Sequence, residues 1–354
     1  MKTRVCRLYG QDDLRIEIDD IAAPGADDVL IGISAGGICG SDMHYLSDGG
    51  IGTIRVREPI ILGHEASGRV LAAGESVVDL VPGDAVAINP SRACGHCTYC
   101  AEGLRMHCLN MRFSGSAMFM PHQQGRFRDR VIVEAQQCIK LPQSADLGAV
   151  ACAEPLAVCL HAGKMAGNMT GKRVLVTGAG PIGVLCVAVA RQAGASEIVV
   201  TDLHDATLAV ATDMGATRVI NVANAPAEME RFFESKGHFD LAFECSAAAP
   251  AIKTAISALR PRGTLVQVGV TGDTPMPVNA MVAKEIRVQG THRFDDEFAQ
   301  AVDAIVTGRI DVTPIITMRY PLEQAQEAFR MASDRSRAVK VHLTFDNSNA
   351  ASHE

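Results

Sequence analysis

The spacing of apolar positions changes character partway along this 354-residue chain. Up to about Pro142, apolar residues fall in short runs separated by turn signals such as Pro24-Gly25 and Pro82-Gly83-Asp84. Runs at 28–33, 60–62, 68–72, 85–88 and 130–133 predict strands, and strands at that spacing predict a barrel or sandwich. After Glu154 the rhythm becomes strand, helix, strand, which predicts a parallel sheet covered on both faces. Expected there are strands at 173–177, 197–201, 240–244, 264–268 and 286–290, with helices at 182–192 and 205–214. Beyond Arg293 come helices at 298–306 and 322–332 and a last strand at 339–345. That strand has no place in the parallel sheet, so it is expected to return to the first domain. The tail at 347–354 is polar and expected to fray.

Composition narrows the class without changing the architecture. With 47% hydrophobic and 21% charged residues the chain is globular, and its length suits two domains. A net charge of −7 offers nothing to nucleic acid or to an anionic membrane. The stretch at 174–190 comes closest to a membrane span, but glycines and Pro181 interrupt it. The first residues, MKTRVCRLYG, lack the apolar core of a secretory signal, so a cytoplasmic location is expected.

Four of the eleven cysteines crowd into one segment, Cys94-x2-Cys97-x2-Cys100-x7-Cys108. A lobe that short cannot order itself by burying apolar surface, whereas one zinc ion held by four thiolates can do so. Two disulfides are the rival for a secreted chain, and an iron–sulfur cluster is another. The scattered remaining cysteines favour a reducing compartment, and the fourth cysteine lacks the proline that follows it in ferredoxin-type sites. Structural zinc is the expectation.

A second motif lies directly after the strand RVLVT: Gly178-Ala179-Gly180-Pro181-Ile182-Gly183 fits G-x-G-x-x-G and opens a helix. Its glycines permit a tight turn, close approach of a pyrophosphate, and close packing of helix on strand. Asp202 follows 24 residues after Gly178, where a carboxylate can bond the ribose hydroxyls and repel a 2′-phosphate. NAD is therefore favoured over NADP, although His204 is a nearby candidate cation. Val268 and Val270 are expected beside the cofactor.

Three polar clusters remain: Cys39-Gly40-Ser41-Asp42-Met43-His44-Tyr45, Gly63-His64-Glu65 and Ala153-Glu154-Pro155. Spacing alone decides nothing among them, but thiolate, imidazole and carboxylate are the ligand types of an open zinc site.

In their order along the chain, GGICGSDMHY, LGHEASGRV, the four-cysteine lobe, VPGDAVAI, AEPLAV and VTGAGPIG resemble the zinc-dependent medium-chain alcohol and polyol dehydrogenases. The resemblance covers essentially the whole chain and, through Glu154, is to the sorbitol-dehydrogenase branch. It implies an α/β plus mainly β fold: a GroES-like β-barrel catalytic domain over 1–152 and 293–354, with a zinc lobe at 90–112. A doubly wound parallel Rossmann domain over 153–292 would be inserted in it. It implies two zinc ions per chain, the catalytic one held by Cys39 and His64 with carboxylate help from Glu65 or Glu154. Which glutamate binds directly stays open. Ser41 and His44 occupy the positions of a proton path, and Tyr45 and Arg293 those of substrate contacts. The resemblance narrows further over NPSRACGHCTYC and MRFSGSAMFMPHQQGRF, which points to a sugar acid beside a polyol or L-threonine as substrate. A carboxylate would need a cation, for which Arg112, His122 and His292 are further candidates. Five residues after Asp202, where related enzymes often carry a cation, stands Thr207, which again favours NAD. The branch is commonly tetrameric, so a homotetramer or homodimer is expected, with pairing near 264–268 and Pro275-x-Pro277. An inactive dinucleotide-binding protein is the reading from another class.

Overall fold

The computed structural model describes residues 1–270 and 272–345, so the tail expected to fray lies outside the described residues. Among these, no helix is long and apolar enough to cross a membrane.

The N-terminal half builds a seven-stranded sheet around the strand Asp28–Gly37. Glu65–Ala73 pairs along its whole length, and Arg130–Glu134 also pairs with it. The expected return is seen: Lys340–Thr344 pairs antiparallel with the same strand, His342 opposite Gly37 and Thr344 opposite Ala35. Beyond it lies Ile316–Pro321, in parallel register, where the sequence pattern showed only a Pro-bounded stretch. A hairpin of Lys2–Gly10 and Asp13–Asp20 covers one side of this sheet's core, which contains Ile31, Ile33, Val86, Phe127, Phe329 and Leu343.

The second sheet is parallel throughout and has six strands. Its order is Arg218–Asn221, Glu197–Asp202, Arg173–Thr177, Phe239–Glu244, Leu259–Gln267 and Arg287–Gly290. Sequence order therefore reads 3-2-1-4-5-6, the doubly wound arrangement in which the chain reverses direction beside the first strand. The crevice outside the carboxyl ends of Arg173–Thr177 and Phe239–Glu244 is where such sheets bind dinucleotides. Helices Ala153–Ala166, Pro181–Gln192 and Glu297–Val306 cover one face, and Ala249–Ala258 covers the other. Phe294, Phe298 and Val302 share their core with Val174 and Val184, so the residues after 293 are packed firmly on the parallel sheet.

Among the elements that escaped the sequence pattern, three did so for evident physical reasons. The helix Ala153–Ala166 is buried nearly all round, so it has no polar stripe to give a 3.6-residue period. The helix Gly40–Asp48 has the composition of a turn, yet Asp42 caps its start by accepting the Cys39 N–H at 3.0 Å. The short strand Arg218–Asn221 is only four residues at the edge of the sheet.

Candidate active site and metal centres

Where the strand Asp28–Gly37 ends, the chain turns through Ile38 and Cys39 into the helix Gly40–Asp48, leaving the Cys39 thiol at the helix start. Alongside, His64 precedes the strand Glu65–Ala73. The Cys39 sulfur, a His64 ring nitrogen and a Glu65 oxygen lie within 4.8 Å of one another. Thiolate, imidazole and carboxylate at that separation are a donor set that fits zinc. The register makes this possible: Gly37 stands opposite Glu65, and a β-carbon at 37 would lie 2.0 Å from Glu65 Oε2.

Two charged groups behind these donors were not singled out from the sequence. Asp42 is fully buried, accepts the Gly63 N–H at 3.1 Å through Oδ1, and faces His64 Nδ1 at 3.7 Å. A carboxylate behind a ligating histidine fixes the ring and raises its basicity. Burial alone would depress His64, but Asp42 and Cys39 raise it well above the ordinary range. Lys340, 2% exposed, donates to both Glu65 oxygens at 2.7 and 2.9 Å and to the Ile38 carbonyl at 3.1 Å. Burial works against the Lys340 charge, and Glu65 outweighs it. Asp42 was visible as a residue three positions after Cys39, but Lys340 is 275 positions from its partner and gave no local signal.

Glu154 projects from the first turn of Ala153–Ala166 and is buried. It lies outside the tight Cys39–His64–Glu65 cluster but in electrostatic reach of it. Burial pushes its carboxyl up to about 7, His64 pulls it down and Glu65 adds to the rise. Arg293 lies close to the same residues. Its backbone has φ +51°, its guanidinium lies 4.4 Å over the Phe113 ring, and that ring meets His64 at 5.4 Å. Burial lowers the Arg293 pKa, while Glu154 and Tyr45 favour its charge. Tyr45 is buried, and its hydroxyl accepts the Ala117 N–H at 3.2 Å, tying in the segment that returns from the cysteine lobe. Ser41 is half-buried in the first turn of its helix, and His44 is exposed with Nδ1 2.8 Å from Asp48 Oδ2.

Other candidates are placed elsewhere. Arg112 alternates with Phe113 on a short strand, so while Phe113 meets His64, Arg112 lines a different cavity with Arg126 and Arg128. The structure therefore does not bring Arg112 together with His64 and Arg293, as was expected of a substrate contact. His122 has both ring nitrogens engaged, Nε2 accepting the Arg57 N–H at 2.9 Å and Nδ1 facing the Phe119 carbonyl at 2.9 Å. His292 stacks on His107 at 5.5 Å.

Cys94, Cys97, Cys100 and Cys108 form a second cluster, all four sulfurs within 4.8 Å of one another. The Cys94 and Asn110 N–H groups donate to Cys108 Sγ at 3.2 and 3.3 Å, the kind of support thiolate ligands take. Backbone donors around His96 bring the Cys94 thiol down to about 5. Four thiols so placed fit a closed, tetrahedral zinc site.

The glycine-rich loop joins Arg173–Thr177 to Pro181–Gln192. A β-carbon on Gly183 would sit 1.8 Å from the Gly178 carbonyl oxygen, so helix and strand meet only through glycine. Gly180, by contrast, faces open space at the helix start, beside Pro181 and Ile182. Asp202 ends the neighbouring strand, with Oδ2 accepting the Ala179 N–H at 2.6 Å and Oδ1 the Leu203 N–H at 2.7 Å. Val268 is half-buried above Glu244, and Val270 is exposed. Arg335, unforeseen in the sequence, lies near enough to Cys39 and Asp202 for both to favour its charge.

Two family models match the chain: the alcohol dehydrogenase GroES-like domain over residues 25–143 and the zinc-binding dehydrogenase over 181–307. L-idonate 5-dehydrogenase (NAD(P)(+)) of Escherichia coli is 40% identical, covering 98% of this chain and 99% of that protein. Sorbitol dehydrogenase of Gallus gallus is 37% identical, covering 96% and 95%. The crystal structure of the Escherichia coli L-idonate 5-dehydrogenase superposes with a TM-score of 0.93 at 39% identity, covering 98% and 99%.

Proposed function

The chain belongs to the zinc-binding, NAD(P)-dependent dehydrogenases of the medium-chain alcohol and polyol family, and on that premise we propose that it interconverts L-idonate and 5-keto-D-gluconate. The structural observation that supports a polyhydroxylated substrate is Arg293, while the choice of the sugar acid rests on the likeness to L-idonate 5-dehydrogenase. The Arg293 guanidinium is held over Phe113 close to His64 and Glu154, with Tyr45 beside it. Such a fork can take a carboxylate or a pair of hydroxyls.

Cys39, His64 and Glu65 would hold zinc, which when bound would supply Lewis acidity toward a secondary hydroxyl, and the glycine-rich loop would hold NAD(P), which would supply the hydride acceptor or donor. Glu65 is the third ligand in this reading, because its oxygens have lone pairs left after accepting from Lys340, which balances its charge. Asp42 orients His64. Glu154, outside the ligand cluster and pushed up to about 7, holds or releases a proton at the substrate side. Ser41 and His44 lead that proton to solvent, for which the exposed imidazole suits. Asp202 takes the adenosine ribose and favours NAD, and Arg335 meets the pyrophosphate between Asp202 and Cys39.

The same reading keeps one zinc at each cysteine-containing cluster, two per chain. The two separate sheets support two domains with the second beginning near 153, but the expected boundary at 293 moves later, because the helix Glu297–Val306 packs in the core of the parallel sheet. A cytoplasmic location is supported by eleven cysteines, all free. For a homodimer or homotetramer the expected pairing shifts outward. Leu259–Gln267 lies inside the sheet, and the edge strand on its side is Arg287–Gly290, near exposed Val278, Val282 and Val288.

The test is steady-state kinetics with L-idonate, sorbitol, xylitol and L-threonine, each with NAD and NADP. L-Idonate with NAD is expected to give the highest kcat/KM. Any of the other three substrates exceeding it would move the assignment to a polyol or threonine dehydrogenase of the same family.

A further inference from the structure

Arg112 belongs to a group of arginines apart from the metal cluster. Arg92, Arg112, Arg126 and Arg128 line a cavity of about 400 Å³. Arg126 is 1% exposed; its Nη2 donates to the Asn89 carbonyl at 2.9 Å, and its Nε and Nη1 have no partner among the described residues. Arg128 donates from Nε to the Gly125 carbonyl at 2.9 Å. Among the described residues, neither Arg112, Arg126 nor Arg128 forms a carboxylate ion pair. The two carboxylates in the wall are Asp28 and Glu134, and Glu134 is already engaged by Arg92 and by Gln136 Nε2. Four arginines therefore share this wall with two carboxylates, Asp19 standing near Arg128 besides, and the most deeply buried arginine has two N–H groups without a partner among the described residues.

We propose that this cavity is a binding site for a small oxyanion of the phosphate or sulfate type, separate from the metal pocket and the cofactor groove. An unpaired buried charge is costly, and an anion removes that cost by accepting from the Arg126 edge and from Arg112 together. Planar guanidinium forks match tetrahedral oxyanions bidentately. Burial without a counter-ion brings the Arg126 pKa down to about 9, which is the state an anion would relieve. The site also has a mechanical relation to the chemistry. The Arg126 N–H donates to the Gly63 carbonyl at 2.9 Å, next to His64, and Arg112 adjoins Phe113, whose ring meets His64. An occupant thus clamps the two segments that frame His64.

The experiment titrates inorganic phosphate into the zinc-loaded enzyme, following Tm, with sodium chloride at matched ionic strength as the reference. The same titration is run on Arg112→Gln, whose side chain is half-exposed at the cavity. A saturable rise in Tm with phosphate, beyond that with chloride, and an apparent affinity at least tenfold weaker in R112Q are expected. Phosphate bound at the metal pocket would act equally on both proteins, so an unchanged affinity in R112Q overturns the proposal. So does a phosphate response no larger than that of chloride, including the case in which sedimentation shows a second copy covering this face. Arg126→Met is the companion variant; it is expected to abolish the phosphate response, and if it fails to fold the R112Q comparison still decides.

Discussion

Lys340 Nζ and the Glu65 carboxylate form a buried pair, at 2.7 and 2.9 Å to the two oxygens, that joins the last strand to the strand beginning behind His64. The pair gives a carboxylate buried beside a thiol and an imidazole a fixed ammonium as its counter-charge. Because Lys340 also bonds the Ile38 carbonyl, the same side chain holds the backbone that presents Cys39.

Lys340→Met is therefore expected to leave Glu65 buried and unpaired, costing about 3–5 kcal/mol as other broken buried pairs do. Equilibrium denaturation with zinc in excess measures the loss. Zinc content after dialysis is expected to fall toward one ion per chain, the lobe's, because the carboxylate is no longer held at the Cys39–His64 cluster.

Two of the glycines of the nucleotide loop, Gly180 and Gly183, separate by function. Gly183→Ala puts a methyl group 1.8 Å from the Gly178 carbonyl oxygen, so it is expected to destabilise the fold itself by several °C in Tm. Gly180→Ala meets nothing within 4 Å and has φ −66°, which any residue adopts. Its Tm is expected to stay near wild type, while the KM for NAD rises about tenfold or more because the methyl occupies the approach of the pyrophosphate. Equal losses of Tm in the two variants would contradict this division.

Local chemistry made part of this molecule legible in its sequence. The nucleotide loop, the four-cysteine lobe and the alternation of strands and helices depend on residues close in the chain, and the structure has them where the pattern put them. The return of the last strand could be inferred because its apolar run had no partner in the parallel sheet. What could not be read are the long-range electrostatic partners: Lys340 for Glu65, Arg335 near Asp202 and Cys39, and Asp42 behind His64. Arg112 shows the limit on the other side. Its proximity in sequence to the cleft suggested a substrate contact, but the two-residue period of a strand turned Phe113 inward and Arg112 away.

His342 predicts a pH dependence. It is fully buried, its Nδ1 has no partner among the described residues, and burial together with Lys340 and Arg319 brings its pKa down to about 3. Below its unfolded pKa of roughly 6.5 the unfolded chain takes up a proton that the folded one refuses, so stability falls as pH falls, through the window from about 6.5 to about 3. At pH 5.5 this costs about 1.4 kcal/mol relative to pH 7.5. In His342→Leu the drop in unfolding free energy between those two pH values is expected to be smaller by that amount. Parallel pH profiles for the two proteins would show that His342 is not held neutral.

The cysteine lobe reaches the substrate pocket through one charged clasp. Arg105 donates from Nε to both Asp295 oxygens at 3.0 and 2.9 Å and from Nη2 to Asp296 at 2.7 Å, while His107 stacks on His292. Both contacts grip the loop whose Arg293 sits at φ +51° over Phe113, a backbone conformation that needs support from its surroundings. Arg105 is exposed enough that its ion pairs add little to global stability, so Arg105→Gln is expected to change Tm by no more than about 1–2 °C. Its effect should appear in the substrate instead. With Arg293 less well fixed, KM for L-idonate is expected to rise several-fold with kcat nearly unchanged, and Arg105→Lys, which keeps the charge but not the fork, to recover only part of it. A variant that loses kcat and zinc together would instead show that the clasp holds the lobe, because a displaced Arg293 weakens substrate binding without releasing metal from four thiolates.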